Sequence, residues 1–377
     1  MIPSRPRAEI RALTGLRGVA AAYVVLYHFA VNSRAPEGAL RQVLSHGYLA
    51  VDLFFVLSGY VMALTYADLF SRGFRLDAYG TFLLKRLGRI YPLYFVATLA
   101  CAALAALDPA MEGPLTGPLL LSNMLMVQSW VLFHSLDYPG WSISTEFAAY
   151  LLFPILVAAA LGGSLARCRA AALLSAGLLA VLATRSAADL QQAVHRFGPL
   201  DIYSSATLYP VLRCLCGFTL GLCAWRIGGV PSVRQVAGHA GTGLALCLAG
   251  LVLLALPGTD VLLVLLSAAL VPALAAGQSL PARVLAAAPA YWLGTVSYSL
   301  YLVHYPVQWA FGPAVRAGLD RLGAPKPGIL LSVLLIGMSL ALAALAYAWI
   351  ERPGRDLSRL VASRLRFRSV PKVTHGA

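Results

Sequence analysis

Charge is what this sequence has least of. Asp, Glu, Lys and Arg make up 12% of 377 residues, only 15 residues are acidic, and 59% are hydrophobic. That excludes a soluble domain of this length. Repeated apolar runs of about 18 or more residues describe a polytopic helical membrane protein. The opening MIPSRPRAEIRALTGLR has no small-residue cleavage site, and the apolar run after it is long enough to span, so no cleavable signal peptide is expected. The six cysteines (101, 168, 214, 216, 223 and 247) fall in apolar runs or a loop expected inside, so no structural disulfide is expected. Cys214 and Cys216, two apart on a helix, face different ways, and no metal site is expected. No GxSxG elbow is present, since the sequence around Ser58 reads VLSGY. No basic-aromatic patch of the RNA-binding kind accompanies the net charge of +14, so nucleic acid is set aside and the charge reads as topology. No internal repeat and no appended soluble domain are visible.

What is there is apolar and periodic. Ten spans are predicted near 14–33, 47–66, 88–107, 145–162, 170–184, 206–225, 237–256, 261–277, 291–312 and 328–350. The fold class is therefore all-α and polytopic. A further run, Leu119 to Phe133, is short and holds Asn123, Gln128 and Ser129; it reads as a re-entrant or interfacial segment. With the N-terminus inside, 21 of the 29 Lys and Arg fall on the inner side and 7 outside (Arg34, Arg41, Arg185, Arg196, Arg316, Arg321 and Lys326), with Arg213 inside a span. The inner set includes Arg5, Arg7, Arg72 and Lys372. An even number of spans then puts both termini in the cytoplasm. The membrane domain is read as 1–356. The basic tail 357–377, with apolar residues at near-helical spacing, is expected on the inner leaflet.

The first span, LTGLRGVAAAYVVLYHFAV (13–31), carries Arg17 and His28 eleven positions apart, a rise of roughly 16 Å and about half a bilayer core. An ionisable residue at membrane depth is a functional hypothesis by default. On the predicted topology, His28, Asp52, Glu146 and His304 come from four spans and lie at similar outer depth. A lone membrane His is more often a helix-packing residue; four such groups at one depth favour a site. At the inner face Lys85, Arg86 and Arg89 open the third span, with Arg86 and Arg89 sharing a helix face. Composition alone favours ordinary positive-inside anchoring for them. The alternative is a phosphate-binding cluster, which Arg17 would join.

These residues resemble a known family. Arg17-x10-His28, GYLAVDLFFVLSGY (47–60), Arg86-x-x-Arg89 followed by IYPLY, GWSISTEF (140–147), SYSLYLVHYP (297–306) and the closing IERP (350–353) are similar, in order, to motifs of the acyltransferase 3 family of integral-membrane O-acyltransferases. Thr145 stands where the family often has Val. The C-terminal hydrolase-like domain of some members has no counterpart, so a stand-alone form is expected.

The resemblance implies a multi-pass protein of the bacterial inner membrane. It implies acyl transfer, most often of acetyl, from cytoplasmic acyl-CoA to a hydroxyl of an extracytoplasmic glycan or lipid-linked sugar. Arg17, Lys85, Arg86 and Arg89 would hold the CoA phosphates. His28 would be general base, with Glu146 orienting it. His304 and Tyr301 would donate to the carbonyl oxygen. Asp52, Trp141, Ser142, Ser144 and Tyr301 would serve the acceptor. An acyl-enzyme on His28 is the alternative route. A secondary transporter or lipid-linked-sugar flippase is the competing function, and would show paired broken half-helices; no clear pair is legible.

Overall fold

The computed structural model describes residues 9–32, 39–70, 73–108, 114–192 and 196–368. Arg5, Arg7, Arg34, Arg72 and Lys372, counted above for orientation, lie outside these, as does the end of the tail. Every regular element among the described residues is helical, in keeping with a lipid environment, where each backbone N–H and C=O has to be satisfied within its own segment. In chain order these are α1 (Arg11–Asn32), α2 (Ala39–Ser45), α3 (Ala50–Phe70), α4 (Leu76–Leu107) and α5 (Gly117–Met124). Then come α6 (Gly140–Leu151), α7 (Phe153–Ala160), α8 (Leu165–Ala183), α9 (Tyr209–Gly228), α10 (Pro231–Gly238) and α11 (Ala240–Leu254). The chain closes with α12 (Asp260–Ala275), α13 (Leu280–Ala286), α14 (Ala288–Thr295), α15 (Ser297–Arg321), α16 (Pro327–Ala346) and α17 (Arg352–Arg368). A 3₁₀ turn (His46–Leu49) leads into α3, and a π turn (Tyr347–Glu351) joins α16 to α17.

Six helices among the described residues are long and apolar enough to cross a membrane, and three bent pairs raise the number to nine if each is one span. The pairs α6–α7, α10–α11 and α12–α13 bend by 65°, 74° and 75°. At the first bend Pro154 sits in the opening turn of α7, where it has no N–H to continue the ladder of α6. The ninth predicted span, 291–312, is divided at Val296 into α14 and α15. Its polar residues leave α15 outside the apolar set, although 25 residues give it a length of roughly 37 Å.

The core is drawn from α1, α3, α4, α6, α9, α15 and α16. Small residues set the closest approaches, as is usual between helices in lipid. A Cβ on Gly59 would lie 1.9 Å from the Phe218 carbonyl oxygen, and one on Gly221 2.0 Å from that of Val56, so α3 and α9 touch backbone to backbone. Gly18 and Gly294 do the same for α1 and α14. α4 meets α17 at Gly88 and Ser358, and Ser358 and Ala362 of the tail helix are buried.

The segment 119–133 is a single eight-residue helix followed by a folded loop. Its polar residues are clamps. Asn123 Nδ2 donates to the carbonyls of Leu119 (2.9 Å) and His134 (3.0 Å), while its Oδ1 accepts from the Leu136 amide (2.9 Å). Gln128 Nε2 reaches Tyr94 Oη, Ser135 Oγ and the Gly140 carbonyl at 3.0, 3.0 and 3.2 Å. Met126 and Val131 pass through positive φ (57° and 63°) to make the turns. The loop thereby fixes the start of α6, the helix that carries Trp141, Ser142 and Glu146.

Candidate functional site

A narrow cavity of about 100 Å³ runs between α1, α3, α4, α6 and α15. Arg17, Arg86 and Arg89 line it, with Glu146 as the one acid in its wall. Arg86 and Arg89 are one helical turn apart on α4 and share a face. Arg86 donates to Tyr66 Oη (2.7 Å) and lies over that ring at 4.9 Å. Its Nε is buried without a hydrogen-bond partner, which leaves donor capacity for a further acceptor. Three guanidiniums against one carboxylate give the cavity an excess of positive charge suited to phosphate.

Glu146 belongs to this basic cavity. Its Oε1 accepts from Ser58 Oγ and from Tyr150 Oη (2.6 Å), one turn along α6. Glu351, in the π turn and 1% exposed, accepts from Ser299 Oγ (2.8 Å), and both acids act electrostatically on Arg17. π turns recur at functional sites in helical proteins. Further along the cavity Ser142 Oγ and Tyr301 Oη are 2.8 Å apart, and Tyr301 donates to the Pro139 carbonyl at 3.2 Å.

Beyond Tyr301 stand two imidazoles. The Tyr301 ring centroid is 6.0 Å from that of His304, and the His304 ring stacks on His28 at 5.0 Å and 15°. His28 Nδ1 and His304 Nε2 are 2.7 Å apart. His304 Nδ1 lies 3.3 Å from the Leu300 carbonyl, which only accepts, so the proton of a neutral His304 is on Nδ1. His304 Nε2 is then the acceptor and His28 Nδ1 the donor, which places the basic lone pair of His28 on Nε2. His28 on α1 and His304 on α15 meet across 276 positions of sequence.

The residues expected to converge thus form two linked groups. Arg17, Arg86, Arg89, Glu146, Ser142 and Tyr301 line the cavity; His28 and His304 pair beyond Tyr301. The partner expected for His28 was Glu146; the ring against it is His304, whose two nitrogens are both engaged within the protein. Lys85 is half-buried and outside the cavity lining. Asp52 stands apart: Arg213 Nε donates to its Oδ1 (2.9 Å) and Nη2 to its Oδ2 (2.5 Å), with both side chains at most 1% exposed. Arg213 also lies over Trp141 at 5.4 Å. Ser144 Oγ is fully buried and accepts from the Ser129 amide (3.3 Å). Ser58, Tyr150 and Glu351 carry no expected role in the sequence, although the VLSGY and IERP stretches contain two of them.

No solved structure matches this chain. A family model described as an acyltransferase domain matches residues 10–348. The chain is 26% identical over 374 residues to a putative peptidoglycan O-acetyltransferase, YrhL, of Bacillus subtilis, covering 92% of this chain and 55% of that one. It is 24% identical to the peptidoglycan O-acetyltransferase OatA of Listeria monocytogenes, over 93% of this chain and 56% of that one. Over a shorter stretch, 39% of each chain, it is 33% identical to the acyltransferase MdmB of Streptomyces mycarofaciens. The chain spans about half the length, or less, of these relatives. With the family model covering nearly all of its helices, the chain belongs to the acyltransferase 3 family.

Proposed function

We propose that this chain is a membrane O-acyltransferase that moves an acyl group, acetyl by family habit, from cytoplasmic acyl-CoA to a hydroxyl of an extracytoplasmic glycan or lipid-linked sugar. It would do so with ten crossings of a bacterial inner membrane and both termini inside. The observation that carries the reading is the series of contacts from the arginine cavity through Tyr301 to the paired histidines. Arg17, Arg86 and Arg89 would hold the phosphates of CoA, with the unpartnered Arg86 Nε as one donor. Acyl-CoA supplies the thioester.

His28 Nε2 takes the proton from the acceptor hydroxyl as its oxygen bonds to the acyl carbon. His28 then carries a positive charge, and its Nδ1–H bond to neutral His304 becomes charge-assisted and stronger. His304 is a positioning residue in this scheme: it fixes the tautomer and ring angle of His28. The Tyr301 O–H, which the Pro139 carbonyl accepts in the structure, would turn to the acyl carbonyl to polarise it. As the C–S bond breaks, His28 returns the proton to the departing sulfur. Ser58 and Tyr150 hold Glu146 against the arginines, where it offsets part of their charge.

The test is His28→Ala in purified full-length protein, read as free CoA thiol released from acetyl-CoA in the presence of a glycan acceptor. Transfer should fall about 10²–10⁴-fold, with acetyl-CoA binding by calorimetry unchanged. Full turnover in the variant would remove His28 from the chemistry. Acyl-CoA that binds nowhere would favour the transporter reading.

A further inference from the structure

Near His28 lies a second and larger cavity, about 740 Å³, lined by residues 131–135, Tyr138, Trp141, 191–192 and 203–206. Tyr138 joins the two regions. Its ring centroid is 5.6 Å from His28 and 5.5 Å from Tyr203, edge-on to both. The lining is aromatic and polar but uncharged. Phe133, Trp141 and Tyr203 stand with Tyr138; serine hydroxyls, Gln191 and His134 supply the polar atoms; and the described lining contains no Asp, Glu, Lys or Arg. Asp137, between Ser135 and Tyr138, is buried and outside the lining, and two further ionic groups close by are turned elsewhere. Asp201 accepts from the Phe197 amide (3.1 Å), and Arg196 donates to the Arg185 (2.6 Å) and Pro199 carbonyls.

The walls are also pre-formed. Gln192 donates to the Asp201 carbonyl (3.0 Å) and accepts from the Tyr203 amide (3.2 Å), pinning the strand of chain that carries Tyr203. Gln191 and Val131 hold positive φ at the two rims. Sites that bind small polar molecules have this composition: apolar and aromatic walls with a few placed polar groups. A sugar ring offers a C–H face to aromatic rings and hydroxyls to amides and serines. A charged ring would lose its hydration here without meeting a counter-charge, which is costly.

We infer that this vestibule is the acceptor subsite and that it selects an uncharged, hydroxyl-bearing sugar ring. The ring would stack against Tyr203 and Tyr138 with one hydroxyl turned toward His28. The inference rests on the acyl-transfer reading for its purpose, but not for its test.

Equilibrium binding to the full chain in lipid nanodiscs decides it, with a neutral N-acetylglucosamine tetramer and an anionic galacturonate tetramer as probes. The neutral tetramer should bind, and the anionic one should bind at least about tenfold more weakly. Tyr203→Ala should weaken the neutral tetramer by about tenfold, the loss of one ring stack, with acetyl-CoA binding unchanged. Tyr203→Phe should keep it, and Ser205→Arg should narrow the gap between the two probes. No binding of the neutral tetramer, equal binding of both, or indifference to Tyr203→Ala would overturn the assignment. Should Tyr203→Ala fail to fold, Ser205→Arg carries the decision: a gap it leaves unchanged overturns the assignment. Failure of the acyl-transfer reading is separate, because it appears as an acetyl-CoA that does not bind or a His28→Ala that still turns over.

Discussion

Asp52 and Asp201 are buried almost equally, at 1% and 3% exposure, yet they meet burial differently. Asp52 gives both oxygens to Arg213, and removing either partner of such a pair strands the other charge in a dry interior. Asp201 has the Phe197 amide at its Oδ2 and the charge of Arg213 further off. Burial outweighs these and pushes its carboxyl up to about 6. Asp137, in the loop before α6, is raised well above the carboxylate range by burial, and neither of its oxygens has a hydrogen-bond partner. The Asp201 shift has a stability consequence. A carboxyl that binds its proton more tightly folded than unfolded favours the fold at acid pH and weakens it as pH rises from about 4 to about 6. Asp201→Asn keeps an acceptor for Phe197 and removes the titration. Between pH 4.5 and 7 the parent should therefore lose on the order of 2 kcal/mol of stability relative to the variant, read as a falling thermal midpoint. Parallel curves across that range would show that Asp201 is as ionisable in the fold as in a peptide.

Among the elements, the α3–α9 contact is the least forgiving, because Gly59 and Gly221 each face a backbone carbonyl and not a side chain that can turn aside. Gly221→Leu should separate the helices, strain the Asp52–Arg213 pair that lies along the same contact, and lower the thermal midpoint sharply, as overpacking of about 1–3 kcal/mol or more would. Gly177→Leu on α8, where a Cβ meets nothing within 4 Å, should be nearly silent. Equal midpoints for the two variants would mean that α3 and α9 can part at no cost. Hydropathy made the apolar stretches of six long helices and three bent pairs legible, but not the bends, since Pro154 in an apolar run shows only that a ladder bond is missing. It also singled out Arg17, Arg86 and Arg89, which line one cavity, although Arg86 and Arg89, expected to open a span, lie well inside α4, and it left His28 and His304 at polar points of their helices. Which groups meet was not legible. Asp52 and Arg213 are 161 positions apart, and His28 and His304 are 276 apart. Such pairings depend on helix rotation and crossing, which one sequence does not encode locally. Asn123 and Gln128 of 119–133 clamp a folded loop, a role that composition does not distinguish from that of a membrane-surface segment.

At the scale of the whole molecule, one cavity is lined by three arginines and the other, among the described residues, by no Asp, Glu, Lys or Arg, and the paired histidines lie near both, with ring centroids 6.0 Å from Tyr301 of the first and 5.6 Å from Tyr138 of the second. Arg17 and His28 lie on one helix about 16 Å apart, about half the thickness of an apolar bilayer core, and the two cavities approach each other at the start of α6, where Ser142 lines the first and Trp141 the second. On the proposed reading, phosphate would bind on one side and sugar on the other, with His28 acting between them, and the reaction would be vectorial: the donor would not need to leave the compartment it comes from, and the acceptor would not need to enter it. Sealed vesicles test this directly. Protein reconstituted in both orientations should release thiol from externally added acetyl-CoA only from the molecules whose arginine cavity faces out. Acyl groups should then appear on glycan trapped in the lumen, while glycan added outside with the acetyl-CoA should remain unmodified by those same molecules. Breaking the vesicles with detergent should let both populations act and raise the total rate about twofold if insertion is random. Acylation of external glycan in sealed vesicles, at the rate found for the lumenal pool, would place both substrates on one face and undo the two-sided reading of the cavities.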